Sequence, residues 1–221
     1  MTTIFRDRHD AGRRLAARLS TYANRPDVLV LALPRGGVPV GYEVAKALNV
    51  PLDVFLVRKL GVPGHEELAM GAIASGGVRV LNNEVVQAWH ISPDVIEAVT
   101  ADERRELARR EQMYRDDRPA PEVRGKTVIL VDDGLATGAS MQAAVLAVRQ
   151  KQPAEIVIAV PVASQETCDM LAEQVTEVIC LHTPEPFYAV GLWYREFGQT
   201  TDDEVRELLN RARETLIAPR D

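Results

Sequence analysis

Two adjacent carboxylates, Asp132 and Asp133, follow an apolar run in the segment VILVDDGLATGAS, residues 128–140. At the end of a buried strand they repel one another, so their presence calls for something that shares their charge. The hydroxyls of a sugar, a divalent cation or a cationic transition state would each do so. A few residues on, Thr137, Gly138, Ala139 and Ser140 stand where a helix should begin. Unpaired backbone N–H groups and the positive dipole end favour a phosphate there, small side chains allow close approach, and the two hydroxyls can donate. Acids beside a monophosphate cradle suit a sugar phosphate, with Mg²⁺ as a plausible companion. A capped helix with two solvated aspartates is the plainer alternative. A second anion site is suggested by Arg35, Gly36 and Gly37 after the run VLVLAL, since glycines expose N–H groups and an arginine pairs with anions.

To bring these groups together the chain needs an open sheet, because ligands of such sheets bind at the carboxyl ends of the strands. Apolar runs of strand length alternate with helix-like segments, the pattern of a parallel sheet covered on both faces. Residues 6–22 read as a first helix, with Ala11, Leu15, Leu19 and Tyr22 on one stripe. Residues 28–33 form a buried strand, 38–48 a helix and 52–57 the next strand. RKLGVPGHEELA, residues 58–69, reads as a long mobile loop, being polar with two glycines and a proline. MGAIA and VRVL look like strands of a hairpin turning at Gly76-Gly77. Ser92-Pro93 opens a helix reaching about Arg115, whose Glu106/Arg110 and Glu111/Arg115 pairs suit a solvated face. A helix at 138–150, a strand at 155–162, a helix at 165–173 and a strand at 175–181 follow. The last segment is aromatic and irregular, then helical, with Thr201 and Glu204 as a capping box. The expectation is one α/β domain over residues 1–221, a doubly wound, mainly parallel sheet with a C-terminal appendage.

The 221 residues, 46% of them hydrophobic, suffice for a substantial core. A formal charge of -6 argues against nonspecific nucleic-acid binding. The longest apolar runs, 28–33 and 156–163, fall short of the roughly 20 residues that cross a bilayer. With a charged N-terminus, MTTIFRDRHDAGRRL, this predicts a cytoplasmic protein without membrane or nucleic-acid partners. Cys168 and Cys180 lack zinc-site spacing and are expected as reduced core thiols. His9, His90 and His182 have no motif around them.

VILVDDGLATGAS resembles the phosphoribosyl pyrophosphate (PRPP) motif of the type I phosphoribosyltransferases: an apolar strand, two acids, then a phosphate loop. The resemblance runs from LPRGGVPVG (33–41) to PEPFYAVGLWYREF (184–197) and is nearest to a bacterial branch of predicted, uncharacterised members. It implies that Asp132 and Asp133 contact the ribose hydroxyls and help to place Mg²⁺, directly or through water or the ribose. It implies a 5-phosphate loop at Ala136, Thr137, Gly138, Ala139 and Ser140, and a pyrophosphate turn at Arg35, Gly36 and Gly37. RKLGVPGHEELA is similar to the flexible loop of adenine phosphoribosyltransferases, which would bring Arg58 and Lys59 to the pyrophosphate and exclude water on closure. His65, Glu66 and Glu67 are then candidates for moving a proton, against the blander reading of a solvated tip. Residues from about 184 to 221 would be the hood over the acceptor, with Phe187, Tyr188, Trp193 and Tyr194 offering flat faces, unless these simply pack the appendage down.

Two departures bear on the acceptor. Hypoxanthine-guanine enzymes carry an acid just before the Thr-Gly, where this chain has Ala136, which with the flexible loop tilts the reading toward adenine. Gly134 replaces a larger apolar residue and is expected to loosen the loop. The implied reaction is Mg²⁺-dependent phosphoribosyl transfer between PRPP and a nucleobase with pyrophosphate release, in a homodimer or larger assembly. Phosphorolysis of a nucleoside monophosphate to ribose 1,5-bisphosphate would use the same cradles. A non-catalytic PRPP or nucleotide sensor and an unrelated flavodoxin-like module remain open alternatives at this stage.

Overall fold

In the computed structural model, which describes residues 4–116 and 118–217 with the side chains of Glu67 and Ile217 excepted, the elements alternate as the hydrophobic pattern requires. In chain order they are α1 (Arg8–Arg18), β1 (Val28–Ala32), α2 (Gly37–Leu48), β2 (Leu52–Val54), β3 (Val57–Val62), β4 (His65–Ala74) and β5 (Val78–Leu81). There follow α3 (Asn83–Ala88), α4 (Pro93–Arg115), β6 (Thr127–Val131), α5 (Ala139–Gln150), β7 (Glu155–Val162), α6 (Gln165–Ala172), β8 (Glu177–His182) and α7 (Asp202–Ile217).

Strands β1 and β6 are buried throughout, so they are apolar on both faces. They form the centre of a parallel sheet of order β2-β1-β6-β7-β8, with Val30 opposite Ile129. Alternate residues serve opposite layers. Val28, Val30 and Ala32 pack with α1, α2 and α7, while Leu29 and Leu31 join Met141, Val145 and Leu171 of α5 and α6. The chain winds outward in one direction from β1 and in the other from β6. The loops that leave these two neighbours therefore diverge and open a crevice between them, the switch point of a doubly wound sheet.

Several expectations need correction. Residues 58–69 are not a loop but most of a β-hairpin: β3 and β4 pair antiparallel and β5 completes a separate three-stranded sheet. Leu60, Val62 and Met70 bury against a core shared with Ile96 and Leu107 of α4, leaving only Pro63 and Gly64 at the tip. This apolar face outweighs the polar composition. The run 52–57 splits for the same reason, β2 ending at Val54 and Val57 starting the second sheet. The first helix begins at Arg8, capped by Asp7, and gives way to a 3-10 turn at Ser20–Tyr22. Helix α3, capped by Asn82, had no clear sequence signal.

Cys168 and Cys180 form a disulfide, because α6 lays its buried face on β8. They are not the reduced thiols expected. Arg115 departs from the solvated helix face: its side chain is 4% exposed and its Nε lies 3.1 Å from Asp53 Oδ1. The Gly76-Gly77 turn, the Ser92 cap and the Thr201 cap, whose hydroxyl accepts from Glu204 N at 3.1 Å, stand as read.

Candidate active site at the switch point

Strand β6 ends at Val131 and carries Asp132 and Asp133 into the crevice; Asp133 N–H donates to Asp132 Oδ1 at 2.8 Å. The turn after β1 closes on them from the neighbouring strand. A Cβ on Gly36 would stand 2.1 Å from Asp133 Oδ2, and one on Gly37 would stand 2.8 Å from the Val131 carbonyl. Glycine is required at both positions for this contact. The Pro34 to Arg35 peptide is cis. Gly37 and Val38 spend their N–H groups inside the turn, on Leu33 and Arg35 carbonyls, whereas the amides of Arg35 and Gly36 have no backbone partner among the described residues. The Arg35 guanidinium lies 3.9 Å from Asp202 at the start of α7.

The 136–140 loop enters α5 through Gly138 at φ 72°. The first turn of a helix leaves its N–H groups without intrahelical partners, and here Ala139 N–H donates to Thr137 Oγ1 at 3.4 Å. A cleft of about 150 Å³ is lined by Asp132 and residues 134–141. Helix α6 supports the loop from behind: the Thr167 hydroxyl donates to the Ala136 carbonyl at 2.9 Å. At Gly134 a Cβ would meet Val190 Cγ1 at 2.6 Å and Val162 Cγ1 at 3.0 Å, so Val190 and β7 fill the space that a larger residue would occupy.

Burial pushes the Asp132 carboxyl well above the usual carboxylate range, and the neighbouring Asp133 charge pushes it further. Burial raises Asp133 too, opposed by Arg8. Arg8 was missed in the sequence. It sits in FRDRHDAGRR, where nothing local separates it from Arg6, Arg13 or Arg14. Only the packing of α1 beside the acid pair brings its Nε to 2.8 Å from Asp133 Oδ2.

The hood aromatics divide. Trp193 and Tyr194 are buried with Phe5, so neither offers the open face expected of a stacking platform. The Trp193 indole N–H has no hydrogen-bond partner among the described residues. The Tyr194 hydroxyl donates to the Asp133 carbonyl at 2.5 Å, and burial, then Asp133, raises its pKa. Phe187 is half-buried, while Tyr188 is 69% exposed.

The hairpin residues are not gathered at the acid cleft. Arg58 Nε is held by Glu103 of α4 at 2.7 Å, Lys59 lies on the alternate face of β3, and neither lines the cleft. His65 packs on Trp89, ring centroids 4.6 Å apart. Glu66 accepts from Gly64 N–H at 3.1 Å, and backbone hydrogen bonds lower its pKa. The Glu67 side chain lies outside the described residues. His9 is engaged by Glu43 at 2.9 Å. Among the described residues no group of three or more His, Cys, Asp and Glu side chains could hold a metal, and no helix is long and apolar enough to cross a membrane.

A parallel doubly wound sheet, with an acid pair and a glycine-bearing loop converging at its switch point, defines an α/β protein with a cleft at the carboxyl ends of its strands. The chain belongs to the phosphoribosyl transferase domain family, whose model matches residues 3–191. It is 48% identical over 209 residues to a Mycobacterium tuberculosis protein named as a candidate phosphoribosyl transferase, covering 95% of this chain and 47% of that protein. The chain thus spans about half the length of the curated relatives it matches. The crystal structure of TT1426 from Thermus thermophilus superimposes with a TM-score of 0.84 at 44% identity, covering 94% of this chain and 98% of that one. The AQ2163 protein from Aquifex aeolicus shares the fold, with a TM-score of 0.51 at 14% identity over 83% of this chain and 78% of that one.

Proposed function

We propose that the protein transfers a 5-phosphoribosyl group between PRPP and a nitrogenous base, releasing pyrophosphate. The observation that carries this reading is the placement of the Asp132 carboxylate in the same cleft as the 136–140 loop, with the glycine turn at 36–37 packed on the acid pair. In this reading the loop amides and the hydroxyls of Thr137 and Ser140 hold the 5-phosphate, and the acids take the ribose hydroxyls. Arg35 holds the pyrophosphate together with the amides of Arg35 and Gly36, which have no backbone partner among the described residues.

The chemistry passes through an oxocarbenium-like centre, so the chain needs to supply position and charge rather than a nucleophile. Asp132 and Asp133 are hard oxygen donors of the kind that hold Mg²⁺ together with substrate oxygens. Bound there, Mg²⁺ would neutralise charge on the departing pyrophosphate. Arg58 and Lys59 join this site only through movement of the β3 to β4 hairpin, since neither lines the cleft. Ala136 supplies no proton acceptor beside the loop, which favours an adenine-like acceptor over a 6-oxopurine.

The test offers PRPP and Mg²⁺ with a panel of bases and, in parallel, AMP, GMP, IMP and UMP with pyrophosphate or phosphate. The expected result is PRPP-dependent nucleotide formation, reversed by pyrophosphate and lost in the Asp132→Asn, Asp133→Asn double variant with the fold intact. Normal turnover in that variant sinks the assignment. Release of base with phosphate alone reassigns the site to phosphorolysis.

A further inference from the structure

The 136–140 loop leans on a short helix that a disulfide ties to the edge of the sheet. Helix α6 has 8 residues, too few to be stable without contacts from outside. Its Thr167 hydroxyl donates to the Ala136 carbonyl at 2.9 Å. A Cβ on Gly138, the residue that turns the loop into α5, would stand 2.7 Å from Thr167 Cγ2 and 3.4 Å from Met170 Cε, so this face of α6 is packed directly under the loop. The residue after Thr167 is Cys168, bonded to Cys180 of β8. Strand β8 lies at the edge of the parallel sheet, where Cys180 is half-buried while Cys168 is buried. One end of the bond is thus open to exchange, and the other is a single residue from the hydroxyl that holds the loop.

We propose that Cys168 and Cys180 form a reversible redox site that sets how tightly the 136–140 loop grips a phosphate. The inference rests on the phosphoribosyl reading above for the identity of that phosphate. A dithiol is the reductant. Its thiolate attacks Cys180 Sγ, Cys168 leaves as a thiolate, and the second thiol of the reductant then displaces Cys180. One S–S bond is lost in the protein and one is gained in the reductant, whose two thiol protons end on the two cysteines. Released from β8, α6 keeps only noncovalent contacts, and Thr167 no longer holds the Ala136 carbonyl from a fixed position.

The experiment measures steady-state kinetics with Mg²⁺, PRPP and a base that the wild type accepts, before and after treatment with dithiothreitol, with free thiols counted in each sample. Hydrogen exchange of the 136–140 amides is followed in the same samples without substrate. Reduction should raise KM for PRPP about fivefold, on the scale of one lost hydrogen bond, with kcat changed by less than about twofold. Exchange at 136–140 should quicken, and reoxidation should reverse both effects. Cys168→Ser and Cys180→Ser should each show the raised KM with or without dithiothreitol. Thr167→Val should start from a raised KM and gain little more on reduction, because the bond acts through that hydroxyl.

The same KM and the same exchange in oxidised and reduced wild type overturn the proposal, as does a full response to reduction in Thr167→Val. Unfolding of the whole chain on reduction, read by circular dichroism at the assay temperature, overturns it too, since the bond would then be a general staple. A wild type without turnover and without a thermal shift on adding PRPP sinks the phosphoribosyl reading instead. In that event the exchange comparison by itself decides whether the bond braces the loop.

Discussion

Asp53 in β2 and Asp132 after β6 are both acids that burial pushes toward the neutral form, yet their neighbours differ. Asp53 receives Arg115 Nε on both oxygens, at 3.1 and 3.2 Å, and the Val54 N–H at 2.7 Å. Arg115 is in turn completed by the Val54 carbonyl and Glu111. Asp132 accepts the Asp133 N–H, sits beside another negative charge, and opens to the cleft. The satisfied pair ties the end of α4 to the sheet edge. Asp132 is left under-compensated, which is the electrostatic pattern that the proposed ligand site calls for.

The sharpest break of this comparison is at Arg115. Arg115→Ala leaves Asp53 buried and unpaired and should cost about 3–5 kcal/mol in urea unfolding. Joint replacement of Arg115 by Met and Asp53 by Leu should recover much of the loss. Asp132→Asn should do the reverse, lowering kcat by about 10²–10³, roughly 2.7–4 kcal/mol, while the unfolding midpoint holds or rises because a repulsion is removed. If it unfolds the protein as Arg115→Ala does, the contrast fails.

Smaller effects test how the open side is braced. Reducing the Cys168 to Cys180 bond should lower stability by about 3 kcal/mol for a loop of this length, read from thermal unfolding with and without reductant. Thr167→Val, which removes the hydroxyl bonded to the Ala136 carbonyl, should cost about 1 kcal/mol and raise KM for PRPP a few-fold. An unchanged KM would show that the loop keeps its shape without α6.

The parts legible in advance are those whose signals are local. Apolar runs at 28–32 and 127–131 are fully buried strands, and Gly138 opens α5 where the small-residue string predicted a helix start. The stretch 58–69 was misread as a loop because its buried apolar residues, Leu60 and Val62, are few among polar ones. Their burial depends on α4, which arrives much later in the chain. Trp193 looked like a stacking face, but it is buried in a cluster with Phe5 from the N-terminal end.

Residue type and spacing alone placed the acid pair, the phosphate loop and the glycine turn at strand ends, because periodicity and turn chemistry act over a few residues. That Arg8 joins Asp133, that Val190 fills the space beside Gly134 and that Cys168 meets Cys180 depended on packing between distant segments. Such contacts are fixed only when the sheet brings residues 125 apart, as Arg8 and Asp133 are, within hydrogen-bonding distance.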